Sequence, residues 1–272
     1  MYFNNQTTKA QNNQTTTQPN HQTTIQAKHK TIKPPPMLHL NDLTIGYRDK
    51  VVASHLTAHL AVGTMTCLIG RNGSGKSTLL RTIAAFQPPL SGSVTFSLPE
   101  PASISMMTPR QRARTIGVVL TESTDVGNMT VREMVAMGRS PYTGFWGRLS
   151  SRDEALVSDA LRMTGMEAFA DTYVNAISDG ERQKVMIAKA LAQQTPFILL
   201  DEPTAFLDYP SKVSTMTMLR DLCHEQGKTV LLSTHDLDTA LRLTDRVWLM
   251  ENGGITEGGA EVAGCFKLRG AD

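Results

Sequence analysis

The chain has 272 residues, 40% of them hydrophobic and 19% charged, enough to bury a full core as one large domain or two small ones. Its 27 Lys and Arg stand against 25 Asp and Glu for a net charge of +2, which gives no broad electrostatic footprint for nucleic acid. No apolar run nears the roughly 20 residues of a bilayer-crossing helix, the N-terminus shows no apolar signal segment, and Cys67, Cys223 and Cys265 lack CxxC spacing and read as reduced, mostly buried thiols.

Residues 1–36 are rich in Asn, Gln and Thr and close on Pro34, Pro35 and Pro36. With almost nothing apolar to bury, they read as a disordered tail ending in a stiff extended linker. From Met37 the texture changes. LHLNDLTIGY and VVASHLTAHLAV are partly alternating runs of strand length, and TMTCLIG is a third run leading into GRNGSGKST, Gly70 to Thr78. STLLRTIAAF then places Leu79, Leu80, Ile83 and Phe86 at helical spacing, PPLSG ends that helix, and SVTFSL follows as a strand.

Residues 105–178 read as mostly helical after one strand at TIGVVL, with Thr130 and Glu133, and Ser151 and Glu154, spaced as capping boxes. The second half alternates again: FILLDEP a strand, PSKVSTMTMLRDLCHEQ a helix, TVLLST a strand, LDTALRLT a helix, RVWLMENG a strand. Fully apolar FILL and VLLS suit buried parallel strands. The expected architecture is an α/β domain over 37–260 with an inserted helical subdomain, then a short tail over 261–272.

Gly70-x-x-x-x-Gly75-Lys76-Ser77 fits the Walker A pattern. Its glycines let backbone N–H groups, here those of Arg71, Asn72, Gly73 and Ser74 with their neighbours, wrap a phosphate. Lys76 would neutralise the β and γ phosphates, the Ser77 hydroxyl would ligate Mg²⁺, and the helix continuing through Thr78 adds its positive end. Asp201 ends a buried strand, where a carboxylate reaches Mg²⁺ through its water shell. Glu202 follows, placed to take a proton from an attacking water. Together these residues point to ATP or GTP hydrolysis.

The motif order from about Leu38 to Gly258 resembles the nucleotide-binding subunit of an ATP-binding cassette (ABC) transporter. ISDGERQKV, Ile177 to Val185, is similar to the LSGGQ signature, with Ser178 and Gly180 kept, Asp179 in place of a glycine and Glu181 in place of glutamine. Ser178 and Glu181 are also spaced as a capping box. The resemblance implies a P-loop NTPase cassette: a RecA-like mixed sheet core, an antiparallel β subdomain and the helical subdomain. It implies that Tyr47 stacks on adenine, that Asp208 in TAFLD is the acidic residue of the loop after Walker B, and that His235 in LLSTHD touches the γ-phosphate. The family's usual glutamine is replaced by Thr121 with Glu122 beside it, leaving the Thr121 hydroxyl or the Glu122 carboxylate as the substitute Mg²⁺ ligand.

By the same resemblance two copies pair head to tail as a homodimer around two ATP molecules, each site taking Ser178 and Gly180 from the other copy. TPRQRARTIGVV and GRSPYTGFWGRLSSRDEALVSDAL, Gly138 to Leu161, are similar to importer ATPases for iron-siderophore, haem and vitamin B12 complexes. Phe145 and Trp146 have a simpler reading as a core-packed turn. The importer reading implies integral membrane permease subunits as partners, an extracytoplasmic substrate-binding protein indirectly, no nucleic acid, and a peripheral location on the cytoplasmic face of the inner membrane. A soluble cassette ATPase acting on nucleic acid or ribosomes is the alternative, and a small-molecule P-loop kinase leaves ISDGERQKV and STHD unexplained.

Overall fold

The computed structural model describes residues 36–48, 50–97, 101–120, 128–144, 146–262 and 264. The tail over 1–35, Thr121, Glu122, Phe145 and Cys265 lie outside the described residues. Two sheets organise the chain. Strands β1 (Pro36–Tyr47), β2 (Lys50–Ala61), β4 (Ser91–Phe96) and β5 (Ala102–Ser103) form an antiparallel sheet in the order β2-β1-β4-β5. The second sheet has six strands: β3 (Met65–Gly70), β6 (Ile116–Val119), β7 (Phe197–Asp201), β8 (Thr229–Ser233), β9 (Arg246–Glu251) and β10 (Gly254–Gly258), in the order β10-β9-β3-β8-β7-β6. All its pairings are parallel except β9 with β10.

The central strands are apolar throughout because both of their faces are covered. Successive side chains point to opposite faces, and the core divides accordingly. Met65, Cys67, Ile69, Ile198, Leu200, Val230, Leu232, Val247 and Leu249 pack with the helices on one side. Leu68, Phe197, Leu199, Leu231, Trp248 and Met250 face the antiparallel sheet and α1 (Lys76–Ile83) on the other. Phe96 of β4 meets Phe197 of β7 with ring centroids 5.7 Å apart and tilted 57°, an edge-biased contact that joins the two sheets. Cys67 and Cys223 are buried free thiols, both pushed up to about 12 chiefly by burial.

Helices α3 (Val131–Ala136), α4 (Ser151–Met163) and α5 (Asp179–Ala192) pack on one another as the helical part. The capping boxes expected at Thr130 and Glu133 and at Ser178 and Glu181 form. The one expected at Ser151 and Glu154 is displaced by one residue: Ser150 caps α4 with Asp153. The reason is tertiary. Asp153 Oδ1 also accepts from buried Arg139 Nε at 2.8 Å, and Arg139 Nη1 donates to the Ala192 carbonyl that ends α5 at 2.7 Å. That guanidinium lies 4.1 Å from the Tyr142 ring centroid, so GRSPY is a packing hub for three elements.

The remaining helices are α2 (Pro109–Thr115), α6 (Tyr209–Gln226) and α7 (Leu237–Leu243). Three features differ from the sequence expectation. β6 is the strand expected at TIGVVL, but its pairing with β7 makes it part of the main sheet and not of a helical subdomain over 105–178. Residues 254–258, inside the expected 37–260 domain but read there as no strand, form β10 on β9. Trp146 is 81% exposed, so it does not pack as a core turn. Among the described residues no helix is long and apolar enough to cross a membrane.

Candidate nucleotide-binding and hydrolysis site

The site lies where β3, β8 and β7 end side by side, at the carboxyl edge of the parallel sheet, where open α/β sheets bind ligands. β3 delivers the chain into the Gly70–Thr78 loop, and α1 leaves it at Lys76. Two glycines are required by space. A Cβ on Gly70 would stand 2.4 Å from the Met250 carbonyl oxygen, and one on Gly75, at φ 100, would stand 2.6 Å from Val52 Cγ1.

Several features fit this loop to a phosphate. The N-terminus of α1 has no side-chain cap and no acidic residue in its first turn, so its first N–H groups remain available to an anion. Ser74 Oγ is buried with no hydrogen-bond partner among the described residues, a state that carries a free-energy cost until a polar group meets it. Lys76 Nζ spans the loop, donating to the carbonyls of Gly70 at 2.7 Å and Arg71 at 3.1 Å. Burial lowers the Lys76 pKa, while Glu202 and Asp201 pull it back up, so the lysine and both carboxylates share one electrostatic site. Asn72, Gly73 and Ser77 are exposed on the same loop.

Asp201, 7% exposed at the end of β7, accepts from Ser233 Oγ at 2.5 Å. Glu202 turns out of the strand at φ 51, and its N–H donates to the same Ser233 oxygen at 3.0 Å. His235 Nε2 contacts the Glu202 carboxylate. Tyr47, half exposed, accepts a hydrogen bond on its hydroxyl from Thr78 Oγ1 at 3.3 Å, which sets its ring beside the first turn of α1. Lys76, Asp201, Glu202, His235 and Tyr47 are thus gathered around one loop.

Ser178, Gly180 and Asp208 belong to a neighbouring region. Ser178 caps α5, and a Cβ on Gly180 would lie 3.0 Å from the Phe206 carbonyl oxygen. The signature segment therefore abuts the loop after β7 within the chain. Asp208 caps α6, its Oδ1 accepting from the Ser211 N–H at 3.1 Å. The Ser211 side chain, and then that bond, hold the Asp208 carboxyl below its ordinary range. Thr121 and Glu122 fall outside the described residues. Sequence reasoning missed Ser233, whose only signal is a hydroxyl residue closing the apolar run TVLL two places before His235.

A phosphate loop, a strand-end aspartate and a following glutamate on this sheet define a P-loop NTPase. The ABC transporter family model matches residues 53–205, more than half of the chain, and the protein belongs to that family as an ATP-binding, ATP-hydrolysing subunit. It is 40% identical over 216 residues to an uncharacterized ABC transporter ATP-binding protein of Methanocaldococcus jannaschii, covering 79% of this chain and 73% of that one. It is 38% identical over 218 residues to the ferric enterobactin transport ATP-binding protein FepC of Escherichia coli, covering 80% and 79%. Among solved structures, a dimeric ATP-binding cassette in a post-hydrolysis state with ADP and Pi matches with a TM-score of 0.73 at 28% identity, covering 82% of this chain and 99% of that one.

Proposed function

We propose that this chain is the ATPase subunit of an importer for an iron-siderophore, haem or cobalamin-type complex, acting on a separate transmembrane permease. The observation that carries the reading is the pairing of one gathered hydrolysis site with relatives named for such cargo. Beside FepC, these include an achromobactin transport protein at 37% identity and a cobalamin import protein at 36%. The likeness to a dimeric cassette supports a homodimer. In it Ser178 and Gly180, at the Ser178-capped N-terminus of α5, serve the nucleotide held by the other copy. An extracytoplasmic binding protein would hand cargo to the permease. The chain itself would sit peripherally on the cytoplasmic face of the membrane and meet no nucleic acid.

In the bound state Tyr47 stacks on adenine, the N–H groups of Arg71 to Thr78 hold the phosphates, and Lys76 exchanges its two carbonyl partners for phosphate oxygens. Ser77 and Asp201 are the residues that would hold Mg²⁺, which neutralises charge on the phosphates. That donor set of one hydroxyl and one carboxylate fits an ion that keeps most of its waters. Glu202 accepts the proton of the attacking water, and His235 holds that carboxylate and faces the γ-phosphate. Asp208 keeps the segment before α6 in place through its cap.

The test is Glu202→Gln. Turnover should fall roughly a hundred- to ten-thousand-fold with ATP still bound, the usual worth of a general base. Held with ATP and Mg²⁺ in solubilised membranes, the variant should co-purify with a multi-span permease. Normal hydrolysis would sink the assignment of the base, and ribosomes in place of a permease would sink the transport reading.

A further inference from the structure

Asp201 of β7 and Ser233 of β8 are register partners at the ends of two adjacent parallel strands. Ser233 is 0% exposed, and a hydroxyl so placed is destabilising unless its donor and acceptor functions are both used. Both are used, and on consecutive residues. The O–H donates to Asp201 Oδ1 at 2.5 Å, and the same oxygen accepts the Glu202 N–H at 3.0 Å.

The backbone of Glu202 supplies an independent observation. Its φ of 51 lies in the left-handed region, sparsely used by residues other than glycine and held only where the surroundings enforce it. Turning there takes the Glu202 peptide out of the β7–β8 ladder, so its N–H needs an acceptor other than a β8 carbonyl. The Ser233 hydroxyl is that acceptor. One oxygen thereby orients the carboxylate of Asp201 and pins the peptide from which the Glu202 side chain leaves toward His235.

We propose that Ser233 is a positioning residue for ATP hydrolysis, acting through Asp201 and Glu202 to set the geometry of the metal-binding carboxylate and the general base. The proposal rests on the roles given to those two residues above. Groups that orient a metal ligand from behind are typically worth about 10- to 100-fold in metal affinity or activity. A hydroxyl that only completed the end of the sheet would show in thermal unfolding and leave metal affinity alone.

The experiment compares Ser233→Val with Ser233→Thr in the full chain, since the two side chains share a shape and differ in the hydroxyl. Four quantities are read: thermal unfolding, ATP binding in EDTA, Mn²⁺ affinity of the ATP-bound protein by electron paramagnetic resonance, and kcat and KM for MgATP. Relative to Ser233→Thr, Ser233→Val should lose about 10- to 100-fold in kcat and about tenfold in Mn²⁺ affinity, with metal-free ATP binding equal in the two. Equal kcat and equal Mn²⁺ affinity in the two variants would overturn the proposal, whether both are active or both impaired. Glu202→Gln is run alongside. If it hydrolyses at the parental rate, the base assignment fails and this proposal with it; if it is slow while Ser233→Val matches Ser233→Thr, the Ser233 proposal alone fails.

Discussion

Replacing Arg139 by alanine should be among the most damaging single changes away from the nucleotide. The residue is 5% exposed and its partner Asp153 is 9% exposed. Arg139→Ala removes the 2.8 Å charge-assisted bond to Asp153, the 2.7 Å bond to the Ala192 carbonyl and the stacking over Tyr142. Breaking a buried pair from one side costs about 3–5 kcal/mol. The low end applies because Ser150 still donates to Asp153 through its hydroxyl at 2.6 Å and its N–H at 3.0 Å. Some 3 kcal/mol in a domain of this size lowers Tm by about 6–12 °C. The assay is urea and thermal unfolding of Arg139→Ala, Asp153→Asn and the double variant. A coupling energy of more than about 1 kcal/mol between the two sites is expected. A loss below about 1 kcal/mol for Arg139→Ala, or strictly additive single effects, would refute the account of GRSPY as a packing hub.

Other consequences concern acid, the loop and the dimer. The Ser150 hydroxyl and N–H, then Arg139, hold the Asp153 carboxyl down at about 2. A depressed carboxyl adds stability above its unfolded value near 3.9 and loses it as pH falls toward the folded value. The parent should therefore lose stability between about pH 4 and pH 2 more steeply than Asp153→Asn, and equal slopes would exclude Asp153 as the cause. Gly75→Ala puts a methyl 2.6 Å from Val52 Cγ1 at a φ of 100. It should cost about 1–3 kcal/mol of strain and weaken ATP binding, as read by fluorescent-nucleotide titration. Ser178→Arg loses the cap of α5, about 1 kcal/mol. It should keep ATP affinity in the monomer while turnover drops on the order of a hundredfold; impaired monomer affinity would count against a site shared between two copies.

Much of this protein follows from short-range chemistry and was legible in order along the chain. Glycines at Gly70 and Gly75 before Lys76 and Ser77 specify the tight turn from β3 into α1 because few other residues permit that backbone. The serine or threonine three residues before a glutamate at Thr130 and Ser178 specifies a helix start because both partners lie within one turn. FILL and VLLS specify strands covered on both faces.

Where local options tie, only the tertiary structure decides. Ser150 with Asp153 and Ser151 with Glu154 are equivalent as spacing, and a buried guanidinium fourteen residues earlier in the chain selects the first. ENGGITEGG has little strand propensity, yet 254–258 become β10 because β9 offers a ladder. Ser233 is one hydroxyl on an apolar strand until β7 lies beside it, when its oxygen meets Asp201 and the left-handed peptide of Glu202. The sequence alone determined the chemistry each residue brings, because that is set by side-chain type and near spacing. Tertiary structure decided which of those groups face one another, because partners far apart in the chain meet only when strand order and burial bring them to the same edge.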